Sequence, residues 1–338
     1  MKPQQQNLSV QKWVAGISVV LLAAKIVAYY TTHSVSILTD ALESIVNVAA
    51  GFIGLYSLYV SAKPRDTDHP YGHGKAEFLS AAIEGTLIGS AGALILYKAI
   101  QHLVNPVELH KIDYGIMLVA ATAIINFVVG YWCLRTGKKN NSAALIASGK
   151  HLQSDTWSTI GIIAGLALLY FTGYKWIDSA VAIGFGVFIM ITGYKIVRSS
   201  IAGIMDEADK KLLGELVELL NANRRENWID LHNLRVIKYG SVLHIDCHLT
   251  MPWYLDLHQA HLEIDELASL VRNRFGESVE FFVHTDPCLP FSCRICQKSD
   301  CSVRKHNFER KVEWTMENIL QNEKHQLNKH EDSNKMVG

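Results

Sequence analysis

Two pairs of polar residues lie inside apolar stretches and carry side chains that bind divalent transition metals. Glu43 and Asn47 stand in ILTDALESIVNVAAG, and His151 and Asp155 stand in SGKHLQSDTWSTIG. The spacing of four residues stacks each pair on one face of a helix, about 6 Å apart. Two carboxylates, an amide oxygen and an imidazole supply four ligands for a tetrahedral site. This set suits zinc, iron, cobalt or manganese better than calcium.

A polar pair in a helix bundle can also be a hydrogen bond between two helices. The repetition of the spacing in a second segment favours a shared ion instead. Asp40, in the same apolar run as Glu43, is a supporting candidate. Glu84 and Asn126 each stand alone in apolar runs, and we expect packing or lining roles for them.

The elements that must position these pairs are membrane helices. A bilayer core requires about 20 predominantly apolar residues per helix. Six stretches meet this requirement: 11–30, 35–60, 79–103, 112–134, 143–171 and 177–198. The links at 61–76 and 135–142 hold six Lys and Arg residues, whereas the links at 31–34, 104–111 and 172–176 hold two. The first two links and both termini are therefore expected to be cytoplasmic. Ionisable residues inside such helices are costly, which makes a functional role the default hypothesis.

Beyond about residue 207 the pattern predicts a small α+β domain of order αββαβ with a three-stranded sheet. A Cys-rich stretch follows Pro287, and NFERKVEWTMENILQNE predicts a short amphipathic helix before a disordered tail. The predicted divisions are a cytoplasmic N-terminus, a six-helix transmembrane domain, a metal-binding α+β domain, a Cys-rich segment, and the last helix with its tail. Their bounds are 1–10, 11–203, 204–287, 288–302 and 303–338.

Three further groups have metal-binding chemistry. The link AKPRDTDHPYGHGKAEF holds Asp66, His69 and His73, which could gather zinc or form an ordinary solvated loop. The α+β domain is rich in histidine, which favours metal binding over scattered surface residues; its candidates are His232, His244, His248, His258, His261, His284 and Asp286.

The third group has the spacing C-x4-C-x2-C-x4-C, formed by Cys288, Cys293, Cys296 and Cys301. In a cytosolic segment these residues favour thiolate–metal chemistry over disulfides. Four thiolates can form a zinc site. An iron–sulfur ligand set and a reduced tail without metal are the alternatives.

The segments LTDALESIVN, DHPYGHGKAE, HLQSD and VHTDP, in this order, resemble the cation diffusion facilitator family over about residues 10–287. The resemblance implies a dimeric metal/proton antiporter with six transmembrane helices and a ferredoxin-like or metallochaperone-like αββαβ domain. It implies a transport site at Glu43, Asn47, His151 and Asp155. It also implies a loop site at Asp66, His69 and His73, dimer-bridging sites at His232, His248, His261, His284 and Asp286, and a charge pair of Lys75 with Asp206 between the two domains.

The resemblance departs from the usual zinc exporters at helix 2, where Asn47 removes a negative charge. Zinc remains the first expectation for the transported and regulatory metal, with Mn²⁺, Fe²⁺, Co²⁺ and Cd²⁺ as alternatives and no organic cofactor. The expected location is a bacterial inner membrane. The zero formal net charge gives no indication of a nucleic-acid partner.

Three alternatives to a carrier make different demands on the sequence. An intramembrane metalloenzyme would need a water-activating arrangement such as H-E-x-x-H, which the sequence lacks. A membrane-anchored metal sensor would need the α+β domain but not paired ligands in two membrane helices. A passive channel would conduct without saturation or proton coupling. The sequence therefore predicts a secondary transporter rather than an enzyme.

Overall fold

The computed structural model describes residues 3–32, 35–104, 113–172, 176–240, 242–276 and 278–327. Some side chains within its helices lie outside this description: 28–29, 31–32, 35–43, 46, 102, 113–119, 158, 162–172 and 177–178. The chain forms two compact units. The helical unit comprises Met1–Met205 with Tyr239–Ser241, and the sheet unit comprises Asp206–Lys238 with Val242–Gly338.

In the part of the helical unit that the structure describes there are six long helices. They are α1 (Pro3–Thr32), α2 (Val35–Ser61), α3 (Ala76–Val104), α4 (Asp113–Lys139), α5 (Ala143–Thr172) and α6 (Trp176–Ile204). At 1.5 Å per residue, a helix of 27 to 30 residues is about 40 to 45 Å long, which is enough to cross a bilayer.

Three stretches among the described residues are both long and apolar enough to span a membrane. They are Pro3–Val27, Ala76–Gln101 and Ser179–Ile204, in α1, α3 and α6. The side chains of α2, α4 and α5 are only partly described, so the crossing of all six helices stays a prediction.

Glycines allow α3 and α6 to pack backbone against backbone. A Cβ on Gly193 would lie 2.4 Å from the backbone nitrogen of Gly89 and 2.7 Å from the carbonyl oxygen of Gly85. A Cβ on Gly92 would lie 2.7 Å from the backbone nitrogen of Met190. Small residues at such crossings are typical of helices that associate in lipid, where van der Waals packing drives association. Any larger side chain at Gly193 would push α3 and α6 apart.

The sheet unit has the predicted order αββαβ. Its elements are α7 (Lys210–Ala222), β1 (Asp230–Tyr239), β2 (Val242–Met251), α8 (Leu257–Phe275) and β3 (Val279–Pro287). The strand order is β1-β2-β3, and β2 and β3 are parallel. Parallel strands need a crossover connection, which α8 supplies. The carboxylates of Asp209 and Asp256 cap the two helices by accepting backbone N–H groups of the first turn.

One apolar core joins the helices to the sheet. Leu213, Leu216 and Leu220 recur at helical spacing on α7 and are buried. They share a cluster with inward-facing strand residues such as Ile245 and with Leu267 of α8. The period-2 and period-3.6 patterns of the sequence therefore meet in one core.

The predicted amphipathic helix at the end of the chain is wrong for the described residues, 303–327, which contain no helix. Of the residues expected on the apolar face of that helix, Ile319 is buried in the core of the sheet unit, whereas Phe308 and Leu320 are exposed. Trp314, which was not expected on that face, is buried in the same core. The apolar spacing fits a helix, but the segment instead packs in irregular conformation over the free edge of β1.

Backbone hydrogen bonds hold the segment at that edge. The Leu234 N–H donates to the Ile319 carbonyl at 2.9 Å, and the Asn233 N–H donates to the Gln321 carbonyl at 2.8 Å. These bonds satisfy strand groups that a helix would leave unpaired. The predicted disordered tail beyond residue 327 lies outside the described residues.

Candidate metal centres

The helical unit brings together three of the four predicted transport residues. The Nε2 atom of His151 lies 2.8 Å from Asn47 Oδ1, and Asn47 Nδ2 donates to Asp155 Oδ2 at 2.6 Å. One amide of α2 therefore contacts both the imidazole and the carboxylate that α5 presents on one face. The four-residue spacing of His151 and Asp155 makes this possible, because the side chains lie one turn apart.

Two further predicted members of this site lie in α2. Glu43 and Asp40 belong to the helix by backbone, but their side chains lie outside the described residues. Glu43 is one turn from Asn47 on the same helix face. Its place in the site therefore stays a prediction from spacing.

A buried polar cluster lies one helical turn from the transport residues and was missed by the sequence analysis. Ser148 donates to Glu84 Oε1 at 2.8 Å, and Gln11 Nε2 donates to Ser148 Oγ at 3.2 Å and to the Gly51 carbonyl at 3.1 Å. A Cβ on Gly54 would lie 2.6 Å from Gln11 Nε2, so glycine makes room for the cluster. Glu84, expected to pack or line the bundle, is hydrogen-bonded within this cluster. Its partners come from α1 and α5, which no local pattern reveals.

A buried lysine beside the transport helix was missed as well. Lys25 of α1 is 6 % exposed and donates to Ser44 of α2 at 2.8 Å. Ser44 is adjacent in sequence to Glu43. A cation in a candidate membrane span is costly and marks a functional region. The sequence did contain a signal for Lys25, because a lysine inside a long apolar run is unusual.

The loop between α2 and α3 forms a second group. Asp66 Oδ1 accepts from the His69 backbone N–H at 2.7 Å and lies 3.1 Å from the His69 ring nitrogen, while Asp66 Oδ2 lies 3.4 Å from His73 Nε2. All three ligand atoms fall within 4.8 Å of one another. Desolvation would raise the pKa of Asp66, but hydrogen bonds with His69 lower it below its usual value. The ionised carboxylate can therefore accept a metal at ordinary pH.

The sheet unit holds a third group where β1, β2 and β3 run side by side. Asp286 Oδ2 lies 3.4 Å from both His232 Nε2 and His248 Nδ1. Ligand atoms at about 2.0 Å from a tetrahedral zinc stand about 3.3 Å apart, so this spacing fits a shared ion. His284, opposite His248 in the parallel register, lies 4.0 Å from Asp286 Oδ1. Burial and the neighbouring His232 lower the pKa of His248, which favours the neutral imidazole that binds metal.

Residues outside the predicted set support this third group. Asp230 is buried and lies 3.4 Å from His232 Nδ1, and it also accepts from the His325 backbone N–H at 2.9 Å. Burial would raise the pKa of Asp230, but hydrogen bonds with His232 and His325 hold it well below its usual range. A carboxylate on the second ring nitrogen is the usual way to orient a metal-binding histidine. Lys324 Nζ, 3.4 Å from Asp286 Oδ1, places a positive charge beside the same ligands.

The remaining predicted histidines lie apart from this group within the chain. His261 is exposed on α8, with its Nε2 3.9 Å from Asp265 Oδ2, and the structure does not bring it to Asp286. His244 is buried beside Glu280, with 3.2 Å between its Nδ1 and the carboxylate. His258 is exposed at the start of α8. The predicted role of His261 at a bridging site therefore needs a second subunit.

Two further predicted groups are the charge pair of Lys75 with Asp206 and the four cysteines after β3. Lys75 Nζ donates to the Ile204 carbonyl at 3.2 Å near the end of α6, and its pairing with Asp206 stays a prediction. Cys288, Cys293, Cys296 and Cys301 are all free thiols in the segment that follows β3.

Replacing His248 with alanine is expected to weaken zinc binding by the sheet unit by about 10- to 100-fold, since losing even an outer partner of a metal ligand has an effect of that size. The measurement is zinc titration of the purified full-length chain with a competing chelator. His258→Ala, an exposed histidine of the same unit, is the matched control. Equal affinities for the two variants would contradict the assignment.

Comparison with known proteins agrees with this architecture. The family model of the cation efflux transmembrane domain matches residues 13–205, and the model of the cation efflux protein cytoplasmic domain matches residues 208–288. The uncharacterised transporter sll1263 of Synechocystis is 31% identical over 272 residues, which cover 80% of this chain and 87% of that protein.

Proteins named cation-efflux pump FieF are similar to a comparable extent. The Cronobacter sakazakii protein is 30% identical over 276 residues, covering 80% of this chain and 90% of its own length. The Serratia proteamaculans protein is 29% identical over 300 residues, covering 85% and 96%. The matched domains correspond to the helical unit and to the αββαβ part of the sheet unit. The chain therefore belongs to the cation diffusion facilitator family and is a membrane-embedded cation efflux transporter, not an enzyme.

Proposed function

We propose that this protein exports a divalent transition-metal ion, zinc first, from the cytoplasm in exchange for protons. The observation that carries the proposal is the contact of the Asn47 amide with both His151 at 2.8 Å and Asp155 at 2.6 Å. It supports a ligand set shared between α2 and α5, with Glu43 as the fourth member. The metal is the substrate of this site.

Proton coupling is expected because metal ions and protons would bind to the same side-chain atoms of His151 and Asp155. The Asn47 amide contacts both the His151 Nε2 atom and the Asp155 carboxylate, which are the atoms that a metal ion or a proton would occupy. A metal needs a bare ring nitrogen and an ionised carboxylate, so metal and protons compete for the same atoms. Protons arriving from outside would displace the ion there. One charge moved across 100 mV is worth about 2.3 kcal/mol, which is enough to drive useful gradients.

The choice of metal rests on the donor atoms. Imidazole with carboxylate favours zinc or iron, whereas an amide in place of a second α2 carboxylate weakens binding of zinc. Zinc is therefore proposed first, with Mn²⁺ or Fe²⁺ export as the alternative. Co²⁺ and Cd²⁺ are further candidate substrates.

The proposed setting is a homodimer in a bacterial inner membrane, with both termini in the cytoplasm. The match of residues 208–288 to a cytoplasmic domain supports a cytoplasmic sheet unit. In such a dimer the exposed His261 is available to a second subunit as a further ligand of a shared site. The relatives named as efflux pumps are bacterial, which supports the inner membrane.

The test uses purified full-length protein in sealed vesicles that carry an internal metal indicator and a pH dye. We expect saturable zinc flux with proton flux in the opposite direction, and slower flux of manganese, iron, cobalt and cadmium. Asn47→Asp should raise the preference for zinc by restoring a carboxylate. Metal binding without flux would instead indicate a membrane-anchored sensor, and flux without saturation or proton movement would indicate a channel.

A further inference from the structure

The segment after β3 holds four cysteines that the transport function does not use. Cys288, Cys293, Cys296 and Cys301 fall within fourteen residues and are all free thiols. The family match to the cytoplasmic domain ends at residue 288, so Cys293, Cys296 and Cys301 lie beyond the matched part of the chain.

Backbone hydrogen bonds shape this segment into a tight loop. A short 3₁₀ helix, Pro290–Arg294, leads into a turn in which the Cys296 N–H donates to the Cys293 carbonyl at 3.4 Å. The Arg304 guanidinium donates to the carbonyls of Cys293 at 2.9 Å and Cys296 at 3.2 Å, and also to that of Lys298. One arginine therefore ties together the backbone on both sides of the C-x2-C pair.

One of the four sulfurs accepts a hydrogen bond from a backbone N–H group, and backbone N–H groups affect the pKa of two others. The Lys305 N–H donates to Cys293 Sγ at 3.4 Å. Burial raises the pKa of Cys296 and of Cys288, while the backbone N–H of Lys298 acts to lower the first pKa and that of Trp253 acts to lower the second. Such donors stabilise a thiolate and are typical outer partners of metal-bound sulfur.

The thiols are close enough to affect one another electrostatically. Burial raises the pKa of Cys288 and of Cys296, and negative charge on Cys293 and Cys301 raises both pKa values further.

The loop has little apolar packing of its own. Its cluster contains the buried residues Ile229, Ile295 and Cys296, with Cys288, Val312 and Leu327 partly buried beside them. So small a core offsets little of the entropy lost on ordering a segment with no long helix or strand. In natural mini-domains of this kind a structural metal supplies the missing free energy.

We propose that Cys288, Cys293, Cys296 and Cys301 bind one Zn²⁺ as a structural tetrathiolate site that fastens the C-terminal extension to the sheet unit. Zinc–sulfur bonds of about 2.3 Å place sulfurs about 3.8 Å apart. In the described loop, no three of these four sulfurs lie within 4.8 Å of one another. Zinc binding therefore requires the sulfurs to move closer together.

The test compares metal content and cobalt spectra of the purified full-length chain. Wild-type protein refilled with Co²⁺ should show intense sulfur-to-cobalt charge-transfer absorption in the near ultraviolet. The transport, loop and sheet sites offer nitrogen and oxygen ligands, so they do not produce this band. The double variant Cys293→Ser/Cys296→Ser should lose the band and one zinc per chain. Cys133→Ser, at a buried thiol of α4 outside the segment, should keep both.

A second measurement keeps the proposal testable if the double variant misfolds. In the wild-type chain, zinc should slow alkylation of the four thiols by at least about tenfold, and a strong chelator should reverse this. Absence of the cobalt band, absorption by an iron–sulfur cluster, or disulfides in freshly purified protein would each overturn the proposal. Vesicle flux is scored separately, so failure of this site and failure of the transport proposal are distinguishable.

Discussion

Replacing His151 with alanine is expected to lower metal flux in vesicles by at least about 100-fold, because the imidazole is one of few ligands in a low-dielectric site. His151 is buried, and its Nε2 lies 2.8 Å from the Asn47 amide oxygen. Asp155→Asn should have a similar effect, since it removes the negative charge that the site offers to a cation. Metal-driven proton flux should fall in parallel with metal flux.

The control for this prediction is Thr192→Ala on α6. The Thr192 hydroxyl donates to the Phe188 carbonyl of its own helix, so its loss should leave flux within about twofold of wild type. Both variants must reconstitute to the same protein density. Flux by His151→Ala above about a tenth of the wild-type rate would contradict the assigned site, whereas loss of flux by Thr192→Ala would indicate general damage.

Replacing Trp314 with alanine is expected to destabilise the sheet unit by about 3 to 5 kcal/mol, the usual cost of removing a large buried aromatic side chain. Trp314 is 1 % exposed, and the Arg224 guanidinium lies 4.2 Å from its ring centroid. Its backbone N–H donates to the Asn221 side chain at 3.1 Å, and its carbonyl accepts from the same side chain. The residue therefore anchors the C-terminal segment to α7.

Hydrogen–deuterium exchange of the full-length protein measures this loss directly. Amides of α7 and β1 should lose protection by about 100-fold or more, since each tenfold change corresponds to 1.4 kcal/mol. Trp253→Ala is the matched control, because that tryptophan is 59 % exposed. Equal exchange in the two variants would mean that the C-terminal segment does not stabilise the sheet unit.

Local periodicity was enough to predict the αββαβ order. Leu213, Leu216 and Leu220 repeat at helical spacing, and the strands alternate, so each pattern follows from the geometry of its own backbone. The pairing of His151 with Asp155 on one face of α5 is local in the same sense. These features depend on residues fewer than about five positions apart.

The same reasoning failed at the end of the chain. The spacing around Trp314 and Ile319 fits a helix, yet these residues fill the core of the sheet unit and the backbone bonds to β1. The free edge of β1 offered unpaired N–H and carbonyl groups, and satisfying them outweighed a weak helical preference. No window within residues 303–327 contains that information.

The sequence by itself determined the ligand types, their spacing within each helix, and the order of helices and strands. Only the tertiary structure decided that Glu84 meets Ser148 and Gln11, that Lys324 and His325 reach the ligands of the sheet unit, and that His261 stays apart from them. The physical reason is the separation of the interacting residues along the sequence. Backbone geometry relates neighbours a few residues apart, whereas contacts between residues tens of positions apart depend on how the whole core packs.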